Sequence, residues 1–155
     1  MWQRKQTLFL ALAIACLVGM IFFPVWEGKT DTTTMTLYPL YYGVKQGTAL
    51  PVVVYFPYCI IAICGIAAAT LAAIEIGKFE NRMLQIKIGA LNSLFMAACM
   101  GSAAYLAVQL IKESHVRGNY GVSLFFPAVA LVCNAIANRF IRRDENLVRD
   151  SDRLR

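Results

Sequence analysis

Thr7-Leu8-Phe9-Leu10-Ala11-Leu12-Ala13-Ile14-Ala15-Cys16-Leu17-Val18-Gly19-Met20-Ile21-Phe22-Phe23-Pro24-Val25-Trp26 runs for 20 residues without a charged side chain. As a helix at 1.5 Å per residue it would span about 30 Å, the thickness of a bilayer's hydrocarbon core. Arg4 and Lys5 precede it in a short polar start. Pro24 and Trp26 close it, the indole at the level where an amphipathic ring suits the membrane–water boundary. A cleaved signal peptide is the rival reading, but it would have a shorter apolar core and a small-x-small site after it. Ala13-Ile14-Ala15-Cys16 has the outline of a lipoprotein cleavage site, yet the residues after Cys16 stay apolar where a mature lipoprotein would turn polar.

Three further apolar runs follow. Of 155 residues, 59% are hydrophobic and 15% charged, against roughly 45–50% and 25% in soluble domains. That excess would not fit inside a soluble core of this size. The predicted spans are about 7–26, 51–76, 84–111 and 121–141, followed by a tail over 142–155. Pro51 suits a first helical turn. Pro57 is expected to kink the second span, and Pro127, near the start of the fourth, to add a second kink towards the same face. Gly65, Ala69 and Ala73, and again Ala97 and Gly101, form small-xxx-small patterns that admit a close helical neighbour. The loop over 27–50 carries Thr32 to Tyr38, rich in β-branched and aromatic residues, and predicts a short strand or hairpin. The expected fold is an all-α membrane protein: one domain, a four-helix transmembrane bundle, and an extracytoplasmic loop holding a β-hairpin.

The formal charge is +6. It gathers at the ends of apolar runs rather than over a face, which points to membrane orientation and away from nucleic acid. Eleven Lys and Arg residues fall on the side of the N-terminus, the second connection and the tail, and four on the other. Both termini are therefore expected in the cytoplasm, as an even number of spans requires. The five cysteines, Cys16, Cys59, Cys64, Cys99 and Cys133, all lie in apolar runs and read as small apolar fillers. A buried metal or redox site is the sharper alternative, supported by no CxxC pair and no helical histidine.

Ionisable groups inside spans are expensive. Glu75 ends the second span and Lys87 begins the third, so an ion pair between them is predicted near the cytoplasmic interface, as a structural clasp rather than a relay. Asn92, Asn134 and Asn138 are expected to make polar contacts between helices three and four, with Asn92 and Asn134 bonding across the interface. No motif of an enzyme is present: His115 stands alone in a loop, and no HExxH, GxSxG or paired intramembrane carboxylates occur. No catalytic activity, cofactor or metal is expected. The tail mixes signs: Arg142, Arg143, Asp144, Glu145, Leu147, Arg149, Asp152, Arg153 and Arg155. With Gln3 and Arg4 it is the expected docking surface for a cytosolic partner, Glu145 and Arg149 being four apart as in a helix-stabilising pair. Lipid head groups alone would explain the juxtamembrane arginines but not the acidic residues among them.

Both ends resemble a known family. Gln3-Arg4-x-Gln6-Thr7-Leu8-x-Leu10 is similar to the opening, and Ile141-Arg142-Arg143-Asp144-Glu145-x-Leu147-Val148-Arg149-x-x-Asp152-Arg153-Leu154-Arg155 to the closing signature, of small bacterial four-span inner-membrane proteins known only as a domain of unknown function. Trp2 and Lys5 stand where that pattern has aliphatic residues. The resemblance implies four helices and an inner-membrane location, and no activity. The expected role is an accessory or scaffold subunit that meets the lipid bilayer and a protein partner. An oligomeric small-solute or ion transporter is the alternative. A membrane enzyme acting on lipids is disfavoured by the lack of clustered catalytic residues.

Overall fold

The structure is a computed structural model. It describes the backbone over residues 5–47, 49–78 and 81–153 and side chains over 6–47, 49–78 and 81–147. Helix α1 (Lys5–Gly19) passes into a single 3-10 turn, Met20–Phe22. Phe23 is extended (φ −110°, ψ 148°), as the residue before a proline must be, so Pro24 ends the helix. Helices α2 (Ile60–Gly77), α3 (Arg82–Ser114) and α4 (Phe126–Arg153) follow. Three stretches are long and apolar enough to cross a membrane, Ile60–Gly77, Arg82–Ser114 and Val122–Leu147; Gln6–Phe22 is a shorter apolar helical stretch. Helix α1 packs on α2 and α4, and α3 packs on the same two.

The all-α expectation is corrected by a five-stranded antiparallel sheet, order β4-β3-β2-β1-β5. Strands β1 (Trp26–Lys29), β2 (Thr33–Leu37) and β3 (Tyr42–Gln46) come from the first loop. Strand β4 (Val52–Val54) comes from what reads as the start of the second span, and β5 (Asn119–Tyr120) from the loop between α3 and α4. The predicted hairpin exists, with Trp26 opposite Leu37 and Lys29 opposite Thr34, but it is the centre of a larger sheet. Strand β4 pairs Val54 with Tyr42 and Val52 with Val44. Val52-Val53-Val54 prefers this pleated pairing to a helix because β-branched side chains lose rotamer freedom in a helix.

Helix α2 therefore starts nine residues later than predicted, at Ile60 instead of 51. Pro57 lies ahead of it and kinks nothing, and Pro127 is the second residue of α4, in the turn where proline is tolerated. The two expected kinks are absent. Helix α3 is 33 residues long, about 50 Å at 1.5 Å per residue. Asn81 caps it by accepting from the Leu84 N–H at 3.1 Å, and His115 ends it in the left-handed region at φ 53°. The lone histidine is thus a helix terminator, a conformation that histidine tolerates better than most side chains.

The core inverts the soluble pattern. Ala13, Gly65, Ala68, Ala72, Ala103, Ala107, Ala130 and Ala137 are buried between helices, while Leu8, Leu12, Ile63, Ile66, Leu91, Leu94 and Val132 face outward. Without water to drive association, close backbone approach holds such helices. Gly65 meets Met20 and Cys99: an added Cβ would stand 2.8 Å from Met20 Cε. The predicted stripes are displaced, however. Ala69 is only half-buried, Ala73 is exposed, and Ala97 and Gly101 both face out, so the second pattern is not an internal contact. Trp26 is fully buried under the sheet, and Gly118 lies directly on its indole; a Cβ there would collide with the Glu27 carbonyl and stand 2.6 Å from Trp26 Nε1.

Candidate functional site

Connectivity puts the sheet at one end of the helices and the start of α1, the α2–α3 hairpin and the end of α4 at the other. Polar side chains collect at this second end, inside the helix pack. Gln6, Glu75, Gln85, Asn92 and Asn134, contributed by all four helices, are each at most 4% exposed.

The predicted Glu75–Lys87 ion pair does not form. Both Glu75 carboxylate oxygens are buried without a hydrogen-bond partner among the described residues, and Lys87 is exposed on the outside of α3. The reason is angular. Gln85 is the residue that the short hairpin brings opposite the end of α2, and its Nε2 donates to the Glu75 carbonyl oxygen at 2.8 Å. Two residues further on, Lys87 has turned about 200° around the helix.

The asparagines divide. Asn134 Nδ2 donates to the Gly89 carbonyl and to Ser93 Oγ, both at 2.9 Å, tying α4 to α3. Ser93 Oγ donates to the same Gly89 carbonyl at 3.0 Å. Asn92 is fully buried, yet neither its Oδ1 nor its Nδ2 has a partner among the described residues, so the bond expected of it across the helix interface is not made there. Asn138 lies across Gly89, where a Cβ would collide with its amide. Gln85, Gly89, Asn92 and Met96 form the buried stripe of α3 here. Gln85 and Gly89 were not picked out from the sequence, although their 4-3-4 spacing with Asn92 and Met96 is the signal that would have found them.

The tail is not a separate element. Helix α4 continues through the last apolar turn to Arg153. Arg142, Arg143 and Leu147 are exposed and Asp144 and Glu145 half-buried. Arg82 Nη1 donates to the Asp144 carbonyl at 2.7 Å, and Phe9 stacks on Phe140 with ring centroids 5.9 Å apart, so the hairpin and α1 both hold α4 where it becomes charged. Arg82 is another residue that the sequence reading passed over. Arg149, Asp152 and Arg153 lie on the helical backbone with side chains outside the described residues, and Gln3, Arg4 and Arg155 lie outside them altogether.

The cysteines are all unbridged. Cys99 Sγ donates weakly to the Ile61 carbonyl at 3.4 Å and touches Met20 Sδ at 3.9 Å. Among the described residues no three His, Cys, Asp or Glu side chains group as metal ligands. At the sheet end, the Tyr42 and Tyr58 rings meet at a tilt of 40° with centroids 5.2 Å apart, and burial, then the charge of Glu113, pushes the Tyr58 phenol up.

A family model described as a domain of unknown function, DUF4293, matches residues 2–154. No curated protein matches the chain in sequence.

Proposed function

The chain belongs to the DUF4293 family over nearly its whole length, and we propose that it is a non-enzymatic, four-span protein of the bacterial inner membrane that serves as an accessory or scaffold subunit. Both termini are cytoplasmic in this reading, and partners dock on the charged extension of α4. One observation carries it. The segment from Arg142 to Arg153 is an unbroken helical continuation of α4, about 18 Å long at 1.5 Å per residue. A stop-transfer flank needs only positive charge. It does not need a helix of mixed sign held in place by Arg82.

Truncation after Arg143 tests it. Affinity purification of intact and truncated protein from the same membranes is compared, after both have been shown to elute as one folded species. Recovery of a partner by the intact chain and its loss on truncation is expected. The same partners from both would refute docking through the tail.

A transporter working as an oligomer is the second reading, and the unpartnered Glu75 carboxyl favours it. The run of buried polar groups from the charged end stops at Asn92 and Asn134, however, and Ser123 at the sheet end is bonded to the Met20 carbonyl. Towards the sheet the interior is Ala103, Leu106, Ala107 and Leu110 on α3. Ion flux into proteoliposomes that disappears in Glu75→Gln, with folding intact, would move the reading to transport.

A further inference from the structure

Between α3 and α4, on the outer face near the charged end, lies an open cleft of about 390 Å³. One wall is Ile86, Ala90 and Ser93, spaced by four and three residues on α3. The other is Ala135, Asn138, Arg139 and Arg142, one stripe of α4. Arg139 and Arg142 are exposed at the outer end and have no hydrogen-bond or ion-pair partner among the described residues. Glu145, one turn further out, does not line the cleft and pairs with neither. Deeper in, Ser93 and Asn138 supply polar atoms. Beyond them the α3 stripe continues as Ala97 and Gly101, both exposed, with open space where a Gly101 Cβ would stand.

We infer that this cleft holds an anionic phospholipid, with the phosphodiester between Arg139 and Arg142, the polar backbone of the lipid over Asn138 and Ser93, and an acyl chain along Ala97 and Gly101. Guanidinium groups suit a phosphate because their planar fork donates two bonds at once. Arg139 and Arg142 stand towards the charged end of the apolar stretch Val122–Leu147, and side chains of this length extend to the head groups. The small-xxx-small pattern of α3, exposed at Ala97 and Gly101, becomes the floor of an acyl slot. A soluble phosphate compound would use the arginines but leave that slot empty.

The test is native mass spectrometry of the full chain released from nanodiscs of equal phosphatidylglycerol and phosphatidylcholine. The intact protein is expected to retain phosphatidylglycerol selectively. Arg139→Gln with Arg142→Gln should reduce retention about thirtyfold, two arginine contributions at an anionic surface. Ala135→Phe should reduce it comparably by filling the cleft with the charge unchanged; Ala135 is exposed, so the fold has room for the ring. Arg143→Gln, outside the cleft, should leave it unchanged. Retention at the intact level in both the double variant and Ala135→Phe overturns the site. Loss in the double variant with full retention in Ala135→Phe shows diffuse attraction to charge and also overturns it. Displacement of the lipid by millimolar glycerol phosphate, or by an acidic peptide, overturns the lipid as occupant.

Discussion

Replacing Glu75 by methionine should make the protein more stable. The Glu75 side chain is fully buried, and both oxygens lack a partner among the described residues. A buried polar group left unsatisfied costs about 1–3 kcal/mol, and exchanging it for an apolar group of similar shape recovers that cost. Methionine has the length and flexibility to fill the same space. Gln85 bonds the Glu75 backbone, not the side chain, so the exchange leaves that bond in place. At about 2–4 °C per kcal/mol for a chain of this size, Glu75→Met is expected to raise Tm by about 2–12 °C. Glu75→Gln keeps an unpaired polar group and should stay within about 1 kcal/mol of the parent. In detergent micelles thermal unfolding gives Tm and added denaturant gives the free energy of both variants, with Trp26 fluorescence as the signal in a Trp2→Phe background. A loss of more than about 1 kcal/mol in Glu75→Met would refute the reasoning. It would mean that the carboxyl is satisfied inside the membrane by a proton or a cation, and the transport reading would gain.

Asn134→Ala removes two bonds from α4 to α3. At about 0.6 kcal/mol per interhelical bond the loss should be about 1–2 kcal/mol. A double-mutant cycle with Ser93→Ala should return a coupling of about 0.6 kcal/mol, and an additive cycle would exclude the bond between them. Trp26→Ala empties the space under the sheet and should cost about 3–5 kcal/mol by the same denaturation. Gly118→Ala drives a methyl into the Glu27 carbonyl, which cannot yield as a side chain does, and should cost about 1–3 kcal/mol, with Trp26 fluorescence shifted by solvent entry. For Tyr42, burial first, then Tyr58 and Glu113, pushes the phenol above its ordinary value of 10. Its folded pKa is raised, so the stability it contributes is complete below pH 10 and is lost as pH climbs through the folded pKa. Ultraviolet phenolate absorbance should show a late-titrating component that Tyr42→Phe removes; an unchanged titration curve would contradict this.

What could be read from the sequence was whatever length and charge alone decide. The apolar runs gave a second helix ending at about 76, against Gly77 observed, and a third over about 84–111, inside the observed Arg82–Ser114, and the β-branched stretch around Thr33 gave a hairpin. Residues 51–56 read from the sequence as the start of the second span and are in part a strand, because a short apolar run reads alike as strand and as helix. Pairing with β3 decides it. Strand β5 is two residues long and has no signal of its own. The site failed on angle. Each residue adds 100° of rotation, and the turn that chooses Gln85 over Lys87 leaves no mark in composition. Gly89 shows the same limit: only the approach of Asn138 explains why a side chain is missing there.

The sheet is closed by its last-made strand. Strands β1 to β4 are complete by Val54, whereas β5, which pairs Asn119 with Glu27 and Tyr120 with Trp26, is some 65 residues further along the chain. At synthesis rates of about 5–20 residues per second, the outer edge of β1 waits about 3–13 seconds for its partner. During that interval it is an open edge, able to pair with another chain. Gly118, which arrives with β5, then covers the Trp26 indole. In the proposed topology the order of assembly is therefore fixed. The first helical hairpin and α3 must be inserted before the sheet can close, and closing it bolts the first hairpin to the second outside the bilayer.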